Sequence, residues 1–312
     1  MTTGLLGLSE LPLSTIRTLL DSAKQMKAHA TAHSTPLTLK GRTILTLFFE
    51  PSTRTRVSFE TAIKRLGGST VGMAMESSST KKGETLFDTI KNLEAMGFDG
   101  VVVRHRHAGV PHFLQSHLSF PVINAGDGLN EHPSQGLLDC FTLEEHLGSL
   151  EGKTILLLGD IMHSRVARSN LWALKKLGAR IIVSGPPTLI PPGLSEWGIM
   201  IAPRLDDVLP LVDAVNVLRV QYERQEHGYF PSVREYRALF GLTEKRCQRL
   251  PSHCCILHPG PINRGIELDS VVADGPHSVI LDQVTNGVAI RMAMMDYLIN
   301  QGGAHGDTNG PD

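Results

Sequence analysis

The chain has 312 residues, enough for two α/β domains, and its charge is nearly balanced, with 30 Lys and Arg against 31 Asp and Glu. That balance argues against a dedicated nucleic-acid or membrane-surface binder, so functional cations must be concentrated locally. No apolar run is long enough to span a bilayer, and Met1–Leu6 has no basic or apolar region resembling a secretory signal, so a cytoplasmic protein is expected.

The first predicted helix covers Ser14 to Lys27, with Ile16, Leu19, Leu20, Ala23 and Met26 on one face. A β-prone run, Thr43 to Phe49, then leads through Pro51 into Ser52-Thr53-Arg54-Thr55, and helical spacing follows through Val57, Phe59, Ala62, Ile63 and Leu66. A helix N-terminus directly after a strand presents unpaired N–H groups and partial positive charge, and here hydroxyls and a guanidinium are added. Such a turn is an anion site. The plain alternative is that Ser52 or Thr53 caps the helix. The glycines of a Walker loop or a dinucleotide fingerprint are missing from this turn, and Gly159-Asp160 opens no such fingerprint later.

Further on, Thr70 to Met75 reads as a strand, followed by a polar run from Glu76 to Gly83 and a helix bearing Leu86, Ile90, Leu93 and Met96. Strands are predicted at Gly100 to Arg104 and Pro121 to Asn124, with a turn over Asn124 to Gly128 and a helix through Leu137, Leu138, Phe141 and Leu147. Gly148 to Gly152 is a candidate hinge. Beyond it, strands are expected at Thr154–Leu158, Arg180–Ser184, Gly198–Ala202, Ala214–Leu218 and Cys254–Leu257. A helix bearing Val166, Leu171, Leu174 and Leu177 has Arg165 in its first turn, and Arg219 to Pro231 reads as a polar binding loop. The last helix is expected over Val284 to Leu298, before a frayed tail.

Alternating strands and helices predict an α/β fold of two doubly wound parallel-sheet domains, with the active site in the cleft between them. The expected division is 1–133, joined by a C-terminal helix at 284–300, then 134–283, with 301–312 a flexible tail. Cys140, Cys247, Cys254 and Cys255 contain no Cys-x-x-Cys pair and read as reduced thiols, and no histidine group has metal-ligand spacing. Neither a metal nor a cofactor is expected.

The motif Phe49-Glu50-Pro51-Ser52-Thr53-Arg54-Thr55-Arg56 with Ser58-Phe59-Glu60 resembles the carbamoyl phosphate motif of the carbamoyltransferases. The resemblance spans roughly residues 40 to 295 through Lys81 to Thr85, Arg104-His105, Asn124 to Gly128, His132 to Gln135, Gly159-Asp160 with Arg165, and Arg219-Val220-Gln221. Several of these are similar to the aspartate branch. That branch implies transfer of a carbamoyl group from carbamoyl phosphate to L-aspartate, an early step of pyrimidine synthesis.

By resemblance, Ser52, Thr53, Arg54, Thr55, Arg104, His132 and Gln135 would handle carbamoyl phosphate, with Arg54, Thr55, Arg104 and His132 catalytic. Arg165, Arg219 and Gln221 would bind aspartate, helped by backbone groups of Gly260 and Pro261. Ser78 and Lys82 would enter a neighbouring subunit's site, with Lys82 also reaching aspartate, which implies a homotrimer. A regulatory chain or dihydroorotase is a candidate partner. Taken alone, His132 reads as a helix-start residue, Arg168 as a solvated neighbour of Arg165, and the run around Lys82 as a solvated loop. Two positions depart from the family pattern: Met162 stands where lysine is common, and Gly260 is smaller than usual. The competing readings are an ornithine carbamoyltransferase, which does not need two arginines for a dicarboxylate, and a non-catalytic scaffold.

Overall fold

Every residue of the first strand, β1 (Thr43–Phe48), is buried except the first, so the run is apolar on both faces rather than alternating. That is the pattern of a central strand in a parallel sheet, and β1 is central. The computed structural model describes residues 4–32, 34–74, 86–220 and 232–301. By contacts the chain divides into two units, Met1–Leu137 with Asn286–Asp312, and Leu138–Thr285.

In the first unit, α1 (Leu13–Thr31) precedes β1, and α2 (Thr53–Arg65), β2 (Ser69–Ala74), α3 (Leu86–Glu94), β3 (Gly100–His105), α4 (Val110–Gln115) and β4 (Val122–Asp127) follow. The sheet order is β2-β1-β3-β4, with parallel pairing throughout. Its core includes Leu45, Leu47, Ile90, Leu93, Val101 and Val103. Helix α5 (Pro133–Leu147) runs from the first unit into the second.

The second unit contains β5 (Thr154–Leu158), α6 (Arg165–Lys176), β6 (Arg180–Ser184), β7 (Met200–Ile201), α7 (Leu205–Val208) and β8 (Ala214–Val217). It continues with α8 (Val233–Phe240), α9 (Glu244–Cys247), β9 (Cys255–Leu257) and α10 (Ser270–Ala273), and α11 (Ile280–Gln301) begins here and ends in the first unit. Its parallel sheet has the order β7-β6-β5-β8-β9. Each sheet therefore reverses its winding once, between β1 and β3 in one and between β5 and β8 in the other. In doubly wound sheets, ligands bind beyond the carboxyl ends of strands at such switch points.

Strands β5 and β6 keep their expected bounds, and α6 opens at Arg165. Three expectations need correction. The strand expected over Gly198–Ala202 is only Met200–Ile201, because Gly198, at φ 76°, closes a 3-10 turn and only then does the chain extend. The turn expected from Asn124 is instead a continuation of β4 to Asp127: Asp127 pairs with His105 across an irregularity in the ladder, and the Asn124 amide donates to Asp127 Oδ1 at 2.8 Å. The last helix begins at Ile280, ahead of the expected Val284. Helices α4, α7, α8, α9 and α10 form where no helix is expected from the sequence.

Candidate active site

The first switch point carries the anion turn. Ser52 precedes α2 in extended geometry, and its side chain makes no capping bond; its carbonyl accepts the Arg56 N–H at 3.1 Å. The hydroxyl therefore does not spend itself on the helix end, contrary to the plain capping reading. The N–H groups of Thr53, Arg54 and Thr55 lie in the first turn, where no intrahelical acceptor exists. Thr53 and Arg54 are exposed; Ser52 and Thr55 are half-buried. This combination of N–H groups, hydroxyls, a guanidinium and the helix dipole suits a multiply charged oxyanion.

Arg104 arrives at the same place from the neighbouring strand. Phe48 is in register with Arg104, and the Phe49 N–H donates to the Arg104 carbonyl at 2.9 Å. The Arg104 guanidinium is largely buried, with Nε 3.3 Å from Glu50 Oε2 and Nη1 donating to the Ala125 carbonyl at 3.3 Å. Glu50 was not singled out in the sequence, although it sits within the motif. The His105 ring meets Phe49 edge-on at 4.8 Å, and burial, reinforced by the charge of His107, pushes its pKa below the ordinary value. Both effects favour the neutral His105 ring, whose Nδ1 accepts the His107 N–H at 3.0 Å.

His132 lies just before α5 and is 5% exposed; its carbonyl accepts the N–H groups of Gln135 and Gly136. The helix-start reading is thus correct for its backbone. Its ring serves separately: Nδ1 is 3.4 Å from Ser134 Oγ, and that oxygen accepts a hydrogen bond from Arg291 Nη2 at 3.2 Å. Arginine can only donate, so the serine proton is free to point at Nδ1. In the neutral ring this favours the tautomer with the proton on Nε2. Arg291 also donates to Ser58 Oγ of α2 at 3.0 Å and lies 5.0 Å over the Phe59 ring. It couples the anion-turn helix to the His132 helix. No local pattern marks it, since its partners are more than 150 residues away in sequence.

At the second switch point, Gly159 follows β5 with φ 123°, and a Cβ there would sit 2.9 Å from Tyr236 Oη and 3.0 Å from the Leu218 carbonyl. Asp160 is fully buried and accepts from the N–H and Nδ1 of His163, each at 3.0 Å. Ser164 caps α6 by accepting from the Ala167 N–H at 3.1 Å. Arg165 opens that helix and is 4% exposed, whereas Arg168 is exposed. Arg219 follows β8, adjacent to β5, and is half-buried. Met162 is half-buried, and its N–H donates to the Leu189 carbonyl at 2.9 Å. No local signal in the sequence marks His163 as the partner of Asp160.

Gly260, at φ 62°, adopts left-handed backbone that a glycine tolerates without strain, which accounts for its small size. Its N–H donates to His258 Nδ1 at 2.8 Å, so the proton of that ring is on Nε2, 3.2 Å from Glu267 Oε1. Both side chains are fully buried. Glu267 Oε1 also accepts the Asn263 N–H, and Asn263 Nδ2 donates to the Val220 carbonyl at 3.3 Å. The Gly260-Pro261 turn is thereby tied to the residue after Arg219. Ser78, Lys82 and Gln221 lie outside the described residues, as do most of the polar loops that carry them.

The four cysteines are unbridged, and burial raises the thiol pKa of Cys254 and Cys255, which keeps both protonated and unreactive. Among the described residues, no helix is long and apolar enough to cross a membrane.

Two parallel α/β units, each with cationic and N–H groups beyond the switch point of its sheet, define an enzyme of anionic substrates. The family model for the carbamoyl-P binding domain of aspartate/ornithine carbamoyltransferase matches residues 4–145, and that for its Asp/Orn binding domain matches residues 151–298. The chain belongs to the aspartate/ornithine carbamoyltransferase family. It is 54% identical over 300 residues to the aspartate carbamoyltransferase catalytic subunit of Gemmatimonas aurantiaca, covering 96% of this chain and 93% of the relative. The corresponding subunit of Myxococcus xanthus is 52% identical over 293 residues, covering 94% and 98%. Among solved structures, aspartate transcarbamoylase from Trypanosoma cruzi in complex with N-(phosphonacetyl)-L-aspartic acid matches with a TM-score of 0.86 at 32% identity, covering 95% of each chain. Ornithine carbamoyltransferase from Pyrococcus furiosus matches with a TM-score of 0.84 at 27% identity, covering 94% and 96%.

Proposed function

We propose that this chain transfers the carbamoyl group of carbamoyl phosphate to the amine of L-aspartate, giving N-carbamoyl-L-aspartate and phosphate in de novo pyrimidine biosynthesis. The observation that carries this reading is the α2 anion turn beside Arg104, in a chain whose relatives bear the aspartate carbamoyltransferase name. Structures of the Trypanosoma cruzi enzyme with carbamoyl phosphate and aspartate support the substrate pair.

The phosphate is held by Ser52, Thr53, Arg54 and Thr55. Thr55, Arg104 and His132 Nε2–H donate to the carbamoyl oxygen as it gains charge; losing one such donor costs about 2.7–4 kcal/mol of barrier. Gln135 orients the carbamoyl N–H groups. Arg165 and Arg219 each take one carboxylate of aspartate, and backbone carbonyls near Gly260 and Pro261 face the amine. The amine nitrogen bonds to the carbamoyl carbon, the carbon–oxygen bond to phosphate breaks, and the departing phosphate accepts the amine proton. Rate enhancement comes from orientation and electrostatics, with no covalent intermediate.

The carbamoyl phosphate domain is 1–133 with the helix at 284–300, and the aspartate domain is 134–283, from which Gln135 reaches the carbamoyl group. Gln221 assists at the aspartate carboxylate. Ser78 and Lys82 serve a neighbouring subunit's site, making the active form a cytoplasmic homotrimer. Two inactive variants, Lys82→Gln and Arg54→Ala, are expected to recover activity when mixed and reassembled; no recovery despite demonstrated subunit exchange would refute the shared site. Sizing the chain from native extract tests for an added regulatory chain or dihydroorotase.

Incubation of the purified chain with labelled carbamoyl phosphate and each amino acid tests the main reading. Citrulline from ornithine, without carbamoyl aspartate, would overturn it in favour of the ornithine reaction. Arg54→Ala is expected to remove turnover by at least about a hundredfold while the chain still folds. Near-normal activity would reject the anion turn as the phosphate site.

A further inference from the structure

Asp139 is fully buried, yet it accepts hydrogen bonds from three side-chain amides of the second unit. Its Oδ2 receives Asn170 Nδ2 at 2.7 Å and Asn216 Nδ2 at 3.0 Å, and its Oδ1 receives Gln283 Nε2 at 2.7 Å. The three donors come from different elements. Asn170 lies on α6, which Arg165 opens; Asn216 lies on β8, which leads to Arg219. Gln283 lies near the start of α11, and its Oε1 accepts the His258 N–H at 2.9 Å, at the entry to the Gly260-Pro261 turn.

The orientation of the amides is informative. Asn170 Oδ1 and Asn216 Oδ1 are buried and find no hydrogen-bond partner among the described residues. Both side chains turn their N–H groups to one buried carboxylate. Apolar side chains of similar volume would fill the same space without burying a carboxylate. Three amide donors converging on one carboxylate from separate elements hold geometry that packing alone does not impose.

We propose that Asp139 is a positioning residue for the aspartate-binding groups, fixing α6, β8 and the Gly260-Pro261 turn to one another through Asn170, Asn216 and Gln283. The proposal rests on the reading of Arg165, Arg219 and that turn as the aspartate site. Asp139 touches no substrate in this scheme. Its carboxylate sets the spacing at which two guanidinium groups meet a dicarboxylate, so its loss weakens aspartate recognition and leaves carbamoyl phosphate binding intact.

The test compares the full-length wild-type chain with Asp139→Asn and Gln283→Ala. Asparagine keeps the shape but replaces one acceptor oxygen with a donor that opposes an amide N–H; alanine at Gln283 cuts only the arm to His258. Both are expected to raise KM for aspartate about tenfold or more, the scale of one lost charge-assisted hydrogen bond, with carbamoyl phosphate affinity within about twofold of wild type. Gln283→Ala is also expected to speed amide hydrogen exchange across residues 256–263 while residues 165–176 exchange as before. Folded variants with wild-type aspartate KM, or a parallel loss of carbamoyl phosphate affinity, would overturn the proposal, whatever happens to their melting temperature. If Asp139→Asn fails to fold, Gln283→Ala decides. A wild-type chain that makes no carbamoyl aspartate would instead sink the underlying functional reading, and the exchange pattern would still judge the hub.

Discussion

Arg291→Met isolates the role of the buried guanidinium on α11. Arg291 is 4% exposed, donates to Ser58 Oγ at 3.0 Å, to Ser134 Oγ at 3.2 Å and to the Gly287 carbonyl at 2.9 Å, and stacks on Phe59 at 5.0 Å. Two charge-assisted bonds to other helices at about 1.5–3 kcal/mol each, plus a desolvated cation–π contact of about 2, give a gross loss of roughly 5–8 kcal/mol. Against this stands the desolvation of a buried cation, several kcal/mol, which methionine avoids while keeping the packed stem. The net destabilisation expected is therefore about 1–3 kcal/mol.

The variant should melt lower by about 2–4 °C for each kcal/mol lost, for a unit of this size. A second consequence is chemical. Without Arg291 the Ser134 hydroxyl is no longer directed toward His132 Nδ1, so kcat should fall while KM for aspartate holds. Thermal unfolding followed by circular dichroism and steady-state carbamoyl transfer measure the two effects. A melting temperature within about 1 °C of wild type together with unchanged kcat would refute the coupling of the two helices through this residue.

Two further substitutions test other parts of the structure. Gly159→Ala forces a Cβ against the Leu218 carbonyl at a φ of 123°, so a loss of about 1–3 kcal/mol in denaturant unfolding is expected, and wild-type stability would disprove the strain. The Glu94 carboxyl, bonded to the Lys91 ammonium and to the N–H and hydroxyl of Ser119, has its pKa lowered from 4.5 to about 2. Its stabilisation is present above the unfolded value and is lost as pH falls from 4.5 toward 2. Glu94→Gln should flatten the acid limb of the stability profile by less than about 1 kcal/mol, as suits a solvent-screened group, and an unaltered limb would reject the assignment.

The elements most legible in the sequence are those whose signals are local. Thr154–Leu158 and Arg180–Ser184 are short apolar runs bounded by glycine or polar residues, and they form β5 and β6 with those bounds. The strand–turn–helix step at Ser52–Thr55 is legible for the same reason: strand, hydroxyls, arginine and helix follow one another within the span of a few side chains. Helix α8 is hard to read because Val233–Phe240 is only eight residues long, so Val233, Tyr236 and Phe240 stand at helical spacing over barely two turns. Strand β7 was overestimated because its residues are exposed and Gly198 delays the extension.

By itself, the sequence of this chain determined the strand–helix alternation, the parallel α/β class and most of the charged residues suited to anions. Those follow from periodicity, capping chemistry and the order of the motifs. Only the tertiary structure decided which strands are neighbours, and hence that Arg104 stands beside the turn after β1 and that β8 brings Arg219 next to β5. It alone joined Arg291 to Ser58 and Ser134, and gathered Asn170, Asn216 and Gln283 on Asp139. These contacts link residues far apart in the chain, and no local propensity encodes them. They arise because burying each sheet brings distant polar groups together, where each donor must find an acceptor or remain unsatisfied.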